Sequence, residues 1–407
     1  MSAPVTRLTP SLSASWRSPA MLLMVMAAAT QLGFASWSTA INNFAVSMAG
    51  FTGLEIGIQQ SVREIPGLLA FSVVAVLLVV REQRLAYLSL VLLGVGVALT
   101  GFFPSFAGIL ATTLLMSIGF HYYETVAQSL ALQWLPKTEA PSILGRVLAA
   151  GAVAQLVAYG LIFLCWKWLD LSFEVVFLVA GLATVAVAVF AWAVFPRFEQ
   201  LVPQRKSLVL RRRYWLYYAL VFMAGARRQI FVVFAGFLMV ERFGFAVDEI
   251  AALFLINCVA NMVLAPRIGD FIGRVGERQA LTVEYVGLIL VFVAYAFVSN
   301  AWVAGGLYVV DHLFFALAIS YRTYLQKIAD PADIAPTSGV SSTINHIAAV
   351  VIPVAFGALW LVSPKAVFLA GAGMAVVSLV LARFVPRHPG PGRETTVPGR
   401  PELAPAE

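Results

Sequence analysis

Twelve apolar runs, each long enough to cross a lipid bilayer, constrain this chain more than any other feature. A helix needs about 20 apolar residues to span the ~30 Å hydrocarbon core. Read from one polar or Pro/Gly break to the next, the runs cover residues 20–48, 54–80, 85–104, 106–135, 142–166, 172–195, 214–241, 247–266, 279–299, 301–326, 336–362 and 364–384. The breaks at Phe103-Pro104-Ser105 and Ser363-Pro364 are so short that their flanking runs must form antiparallel hairpins. A transmembrane β-barrel would instead alternate over segments of about 10 residues. Composition agrees: 61% of the 407 residues are hydrophobic and 12% charged, against about 45–50% and about 25% in soluble domains. A soluble fold could not cover that much apolar surface, and a disordered chain would not carry it. The two cysteines, Cys165 and Cys258, lie inside apolar runs and exclude a disulfide scaffold. The expected fold is an all-α membrane protein of twelve transmembrane helices.

The first run is read as a retained helix. A signal peptide has an apolar stretch of about 7–15 residues, whereas the stretch behind Arg17 continues past Phe34 and Trp37 to Met48. With an even number of spans, both termini share one side. Of the 27 Lys and Arg, 21 fall on that side, including Arg7, Lys137, Arg205, Lys206 and Arg400. Only Lys167, Arg242 and Lys365 fall on the other, and Arg63, Arg227 and Arg228 lie within spans. The positive-inside rule then places both termini in the cytoplasm. The run Arg211-Arg212-Arg213 reads as a topology anchor against anionic lipid, so the net charge of +7 gives no reason to expect nucleic acid.

A shift of about 194 residues superimposes the two halves. Gly50-Phe51 meets Gly244-Phe245, Glu55-Ile56 meets Glu249-Ile250, Arg84 meets Arg278, Gly145 meets Gly339 and Trp166 meets Trp360. Polar and Gly positions are rare in this chain, so a common offset through them indicates an internal repeat. The organisation expected is an N-terminal tail (1–19), a six-helix bundle (20–195), a cytoplasmic linker (196–213), a second six-helix bundle (214–385) and a disordered tail (386–407). A parallel repeat of this kind, about an axis along the membrane normal, is a recurring plan of secondary transporters.

Here the sequence resembles the major facilitator superfamily over nearly its whole length. The stretch Gly269-Asp270-Phe271-Ile272-Gly273-Arg274-Val275-Gly276-Glu277-Arg278 is similar to the family's signature loop, roughly G-x-x-x-D-R-x-G-R-R. The resemblance implies a gating role for Gly269, Asp270, Gly273, Arg274 and Arg278, latching helix ends on the cytoplasmic side. Its counterpart in the first half is reduced to Arg81-Glu82-Gln83-Arg84. Pro353-Val354-Ala355-Phe356-Gly357 in span 11 also looks like the family. No Gly-Pro pair follows Gly151 or Gly160 in span 5, which counts against multidrug efflux. In the family, spans 1, 4, 7 and 10 line a central cavity.

Ionisable residues deep in the bilayer are costly, by about 2.5–3.5 kcal/mol on insertion scales, and are functional candidates by default. At 1.5 Å per residue, Arg63, Glu64, His121, Glu124, Arg227, Arg228, Asp311, His312 and His346 all fall near the midplane. Glu284 and Arg322 read as interfacial side chains that snorkel toward water. Ser117, His121, Glu124 and Gln128 form a polar stripe on span 4, and Gln31, Ala35, Ser38 and Asn42 form one on span 1; such faces must look into protein or a cavity. The solute-binding set expected is Arg63, Arg227, Arg228, Gln31, Ser38, Asn42, His121 and Asn345. The proton-coupling set is Glu64, Glu124, Asp311, His312 and His346. Arg63 and Glu64 have a structural alternative, as a pair with charges on other helices. Arg227 and Arg228 lie ~100° apart on their helix, so one serves the cavity while the other pairs with Glu64, Glu124 or Asp311.

The function expected is secondary transport of a small organic solute by alternating access, coupled to protons. Buried arginines favour a carboxylate or phosphate on that solute, since guanidinium offers a bidentate fork. The alternative is export of hydrophobic compounds or of metal or metal-chelate species. His121 and Glu124 have metal-ligand spacing, but fixed arginines at the same depth would repel a bare cation, and neither a metal nor another cofactor is expected. The chain shows neither a Ser–His–Asp arrangement with supporting context nor a P-loop, so neither an enzyme nor an ATP-driven pump is expected. The expected partners are the solute, protons and membrane lipid, with the chain acting as a monomer in a bacterial cytoplasmic membrane.

Overall fold

The computed structural model describes residues 16–135, 140–198, 210–330 and 333–397. Most of the expected N-terminal tail and linker, the end of the C-terminal tail, and Arg7, Lys137, Arg205, Lys206 and Arg400 lie outside the described residues.

Among the described residues the chain is helical, apart from an isolated bridge between Gly390 and Arg393. The first bundle comprises α1 (Pro19–Ala49), α2 (Gly53–Leu68), α3 (Val73–Leu77), α4 (Glu82–Thr100), α5 (Phe106–Trp134), α6 (Ala140–Trp168) and α7 (Phe173–Val194). The second comprises α8 (Trp215–Gln229), α9 (Gly236–Glu241), α10 (Val247–Val275), α11 (Glu277–Phe297), α12 (Ala301–Ala316), α13 (Ile319–Ile328), α14 (Ile334–Val362) and α15 (Pro364–Arg383). Eleven spans are long and apolar enough to cross a membrane, twelve when α2 and α3 are taken as one broken span. The face at which the described residues begin (Trp16) and end (Val397) is the terminal face, and the opposite one the distal face.

Hydroxyls start the helices where the sequence turns. Ser18, Thr52, Ser105, Ser172 and Ser363 each accept a hydrogen bond from a backbone N–H of the helix they precede. They satisfy donors that have no partner within the first turn. Thr52 also forms a capping box, its backbone N–H donating to the Glu55 carboxylate at 2.9 Å.

Three spans are interrupted close to their midplane charges. Span 2 breaks after Leu68, just beyond Pro66, whose ring removes a helix hydrogen bond; α2 and α3 meet at 41°. Span 7 passes through a π-helical turn, Ile230–Ala235, immediately after Arg227 and Arg228. Such turns concentrate at functional sites. Span 10 breaks at Leu317–Ala318, one and a half turns beyond Asp311 and His312.

The signature stretch departs from expectation. Gly269, Asp270, Gly273 and Arg274 do not form a turn, because α10 runs helically through them to Val275. The turn is made by Gly276 alone, whose φ of 81° suits a residue without a side chain.

The two bundles touch on the distal side. Asn43 donates to the Phe245 carbonyl at 2.6 Å, and Tyr159 of α6 packs edge-on against Phe254 of α10, with ring centroids 5.3 Å apart. Along α2 and α14 the backbones themselves meet. A Cβ on Gly57 would lie 2.2 Å from the Pro353 carbonyl oxygen, and one on Gly357 would lie 2.7 Å from that of Gly53. Small residues allow this approach, the usual basis of helix association in lipid. Nearer the terminal face, Leu148 on α6 is 76% exposed and Met262 on α10 is 64% exposed.

Candidate functional site

The break in α2 places a charged cluster where the contact between bundles ends. Arg63 donates to Glu64 Oε1 at 2.6 Å, and Glu64 Oε2 lies 3.2 Å from His346 Nδ1 on α14 of the other bundle. His346 packs edge-on against His121, centroids 5.1 Å apart, and His121 Nδ1 lies 3.7 Å from Glu124 Oε2. Both imidazoles rest on bare backbone at Gly67, where a Cβ would come within 2.4 Å of His346 and 2.7 Å of His121. The Ser117 hydroxyl donates to the Arg63 carbonyl. The Arg63 guanidinium sits 5.9 Å above Phe34, which is stacked on Phe120.

Glu64 is buried, whereas the Glu124 side chain is 54% exposed. Arg228 on α8 is also exposed, and neither an ion pair nor a hydrogen bond joins it to another described residue. Its charge lies within electrostatic reach of Glu124 of the first bundle and of His312 of the second. Gln31, Ser38 and Asn42 are half-buried on α1, with Gln31 held by Gln155 of α6 at 2.7 Å. Asn345 is half-buried on α14, with its amide close to Gly225 of α8. His312 is held by the Tyr308 carbonyl at 3.0 Å and packs on Phe231.

A second ionic group lies wholly inside the C-terminal bundle. Arg227 is fully buried, donates to Glu284 Oε1 at 3.4 Å and lies 4.5 Å above the Tyr285 ring. This corrects two expectations. Glu284 does not snorkel to the interface, being 1% exposed, and the partner of Arg227 is this residue and none of Glu64, Glu124 or Asp311. Glu284 read as interfacial because it lies only two turns into its span, and a count of residues from the helix end cannot show that Arg227 of α8 covers it. Asp311 is also fully buried, with neither carboxyl oxygen hydrogen-bonded, and feels the charges of Arg227 and Glu284.

Three further placements matter. Asp270 is exposed, with only its backbone carbonyl engaged, by Arg274 at 3.3 Å. Arg211 and Arg213, expected against lipid, instead close on Asp333 ahead of α14, each at 3.0 Å. The Arg211 hydrogen bond, with those from Arg213 and Tyr214, holds the Asp333 carboxyl below the usual range. Sequence reasoning missed Asp333, Gly67 and the aromatic lining of Phe34 and Phe120, since none stands out from its neighbours in the chain. Among the described residues, no group of three or more His, Cys, Asp or Glu is arranged to hold a metal ion.

Two packed helical bundles with ionisable side chains gathered at midplane depth make the fold of a membrane transporter. The chain belongs to the Major Facilitator Superfamily, whose model matches residues 18–353. Its fold is similar to that of the nucleoside transporter NupG in a mutant form, with a TM-score of 0.75 and 15% identity over 90% of this chain and 99% of that one. It is also similar to a bacterial homologue of the human lysosomal transporter Spinster in an inward-facing, occupied conformation, with a TM-score of 0.69 and 13% identity over 93% and 98%. No curated protein sequence matches the chain.

Proposed function

We propose that this secondary transporter moves a small organic anion, with proton coupling, across a bacterial cytoplasmic membrane, and that the terminal face is the cytoplasmic one. The observation that carries the anion is Arg228: an exposed guanidinium at midplane depth that, among the described residues, makes neither an ion pair nor a hydrogen bond and has only the charge of Glu124 near it. A fixed cation at that depth is costly unless something compensates it, and a carboxylate or phosphate on the solute would do so through a bidentate fork. Arg63 is already matched by Glu64 at 2.6 Å and is assigned a shared role, contacting the solute while holding the cluster. Gln31, Ser38, Asn42 and Asn345 supply neutral hydrogen bonds around it. The half-buried rings of Phe34 and Phe120 suit a solute that also has an apolar part.

The proton is assigned to Glu124, the accessible acid facing Arg228, with His121 beside it. Protonated Glu124 would release Arg228 to the anion, so that charge and solute move together. Glu64 and His346 join the bundles across the same level, so a proton there would act on the contact that must break when the distal face opens. Asp270 and Arg274 are assigned to closing the terminal face in the opposite conformation, a role their exposed positions here leave open.

The reading is tested by thermal-shift screening of the purified protein against anionic and neutral metabolites, followed by uptake of the hits into proteoliposomes with and without a pH gradient. Bound ligand raises apparent stability by mass action. The expected result is stabilisation by anions that Arg228→Gln abolishes, and accumulation that needs the gradient. A neutral ligand bound equally well by Arg228→Gln would overturn it.

A further inference from the structure

The terminal face carries a cavity of about 480 Å³ away from the central site, between the start of α11, the end of α15 and the chain that follows α15. Arg278, Arg383, Arg387 and His388 line it, with Val275 and Val283 as its apolar walls. Among the described residues none of these arginines makes an ion pair. The one acid of the first α11 turn, Glu277, is 3% exposed and bound to Lys327 at 2.7 Å, so it offers them no charge. The start of α11 adds its own partial positive charge. Among the described residues, three arginines are thus gathered around one hollow without an ion-paired acid.

The apolar wall indicates what kind of anion belongs there. Val283 begins a row on α11 that continues through Val286, Leu290, Val293 and Phe297, all exposed on the outside of the bundle. At helical spacing these residues make one lipid-facing stripe running from the cavity toward the distal face. The arrangement also recurs. At the equivalent place in the first bundle a cavity of about 810 Å³ is lined by Arg81, Arg84 and Arg197 with Trp192, and there the acid Glu82, held by Ser129 and Gln133, is also part of the wall. Arg84 and Arg278 are the residues related by the 194-residue repeat.

We propose that the α11–α15 cavity binds the phosphate headgroup of an anionic phospholipid, whose acyl chains lie along the α11 stripe. The guanidinium groups match a phosphodiester, and a basic pocket at a membrane face is a known means of holding such lipids. The site is distinct from Arg211 and Arg213, which share the Asp333 carboxylate.

The experiment uses the full-length protein in nanodiscs of phosphatidylcholine alone or with added phosphatidylglycerol, and compares it with the double variant Arg383→Gln/Arg387→Gln. Lipid retained through detergent exchange is read by native mass spectrometry, and melting temperature is read in parallel. Phosphatidylglycerol is expected to be retained and to raise the melting temperature, with affinity falling about fivefold for each arginine removed. Inorganic phosphate alone should have no effect. Stabilisation by inorganic phosphate equal to that by the lipid would show a free-anion site and overturn the lipid assignment. Equal retention of phosphatidylglycerol by the double variant, with its fold confirmed by an unchanged melt in phosphatidylcholine, would overturn the site. Should the double variant fail to fold, Arg387→Gln alone, on the chain beyond α15, is read in the same way.

Discussion

His346 Nδ1 lies 3.2 Å from Glu64 Oε2, and the two residues come from different bundles, 282 positions apart in the chain. Glu64 simultaneously holds Arg63 at 2.6 Å. The last charged contact before the bundles separate is therefore built from the residues at the break in span 2. Hydrogen bonds to charged groups contribute about 1.5–3 kcal/mol, so His346→Ala should shift the balance between conformations about tenfold or more toward distal opening. Spin-label distances across the distal face would record it as a longer population. An unchanged distribution would make the contact incidental.

The neighbouring arginines should behave oppositely. Arg227→Gln leaves Glu284 uncompensated in the protein interior, with an expected cost of about 3–5 kcal/mol. The double change Arg227→Gln/Glu284→Gln should recover most of it, because both buried charges are then gone. Arg228→Gln should leave the melt nearly unchanged and remove stabilisation by anionic ligands. Thermal melts with and without ligand separate these outcomes in one set of samples.

The clamp between Asp333 and Arg211 and Arg213 should be acid-sensitive. Its carboxyl sits below the usual aspartate range because these arginines and Tyr214 hydrogen-bond the ionised form. The stabilisation is therefore complete above the unfolded value of about 3.9 and is lost as pH falls through the lower folded value. Asp333→Asn should melt earlier than the parent near neutral pH, and the gap should close under strong acid. A gap that persisted there would mean that the variant loses packing and not charge.

Close approach at α2 and α14 gives a test of distal closure. Gly57→Ala puts a methyl against the Pro353 carbonyl oxygen, where only 2.2 Å is available. Backbone must move, so the distal seal should loosen. A cysteine placed at Asn43, buried near the distal end of α1 where it meets Phe245 of the other bundle, should then be labelled faster by an impermeant thiol reagent than in the parent background.

Among the described residues the Asp270 side chain makes no ion pair or hydrogen bond, and its assigned role is to latch the terminal face in the opposite conformation. Asp270→Asn should leave ligand affinity and melting temperature unchanged while slowing turnover in proteoliposomes. Loss of affinity instead would place Asp270 in a binding site.

The sequence by itself determined the helical architecture, because crossing a bilayer demands a length and polarity of segment that can be counted residue by residue. Expected and observed spans agree closely for 106–135 and 301–326, the latter realised as α12 and α13. It also marked the ionisable residues at the midplane, since charge is rare and costly there. Tertiary structure alone decided what each of those charges does. Arg227 and Arg228 are adjacent and chemically identical, yet the packing of α8 turns one onto Glu284 inside the bundle and the other into the space between bundles. The pairing of Glu64 with His346, the seat of both imidazoles on Gly67 and the closing of Asp333 on Arg211 all join segments far apart in the chain. Depth along a helix can be read from sequence. Direction around it, and the helix it meets, depend on how the bundles pack.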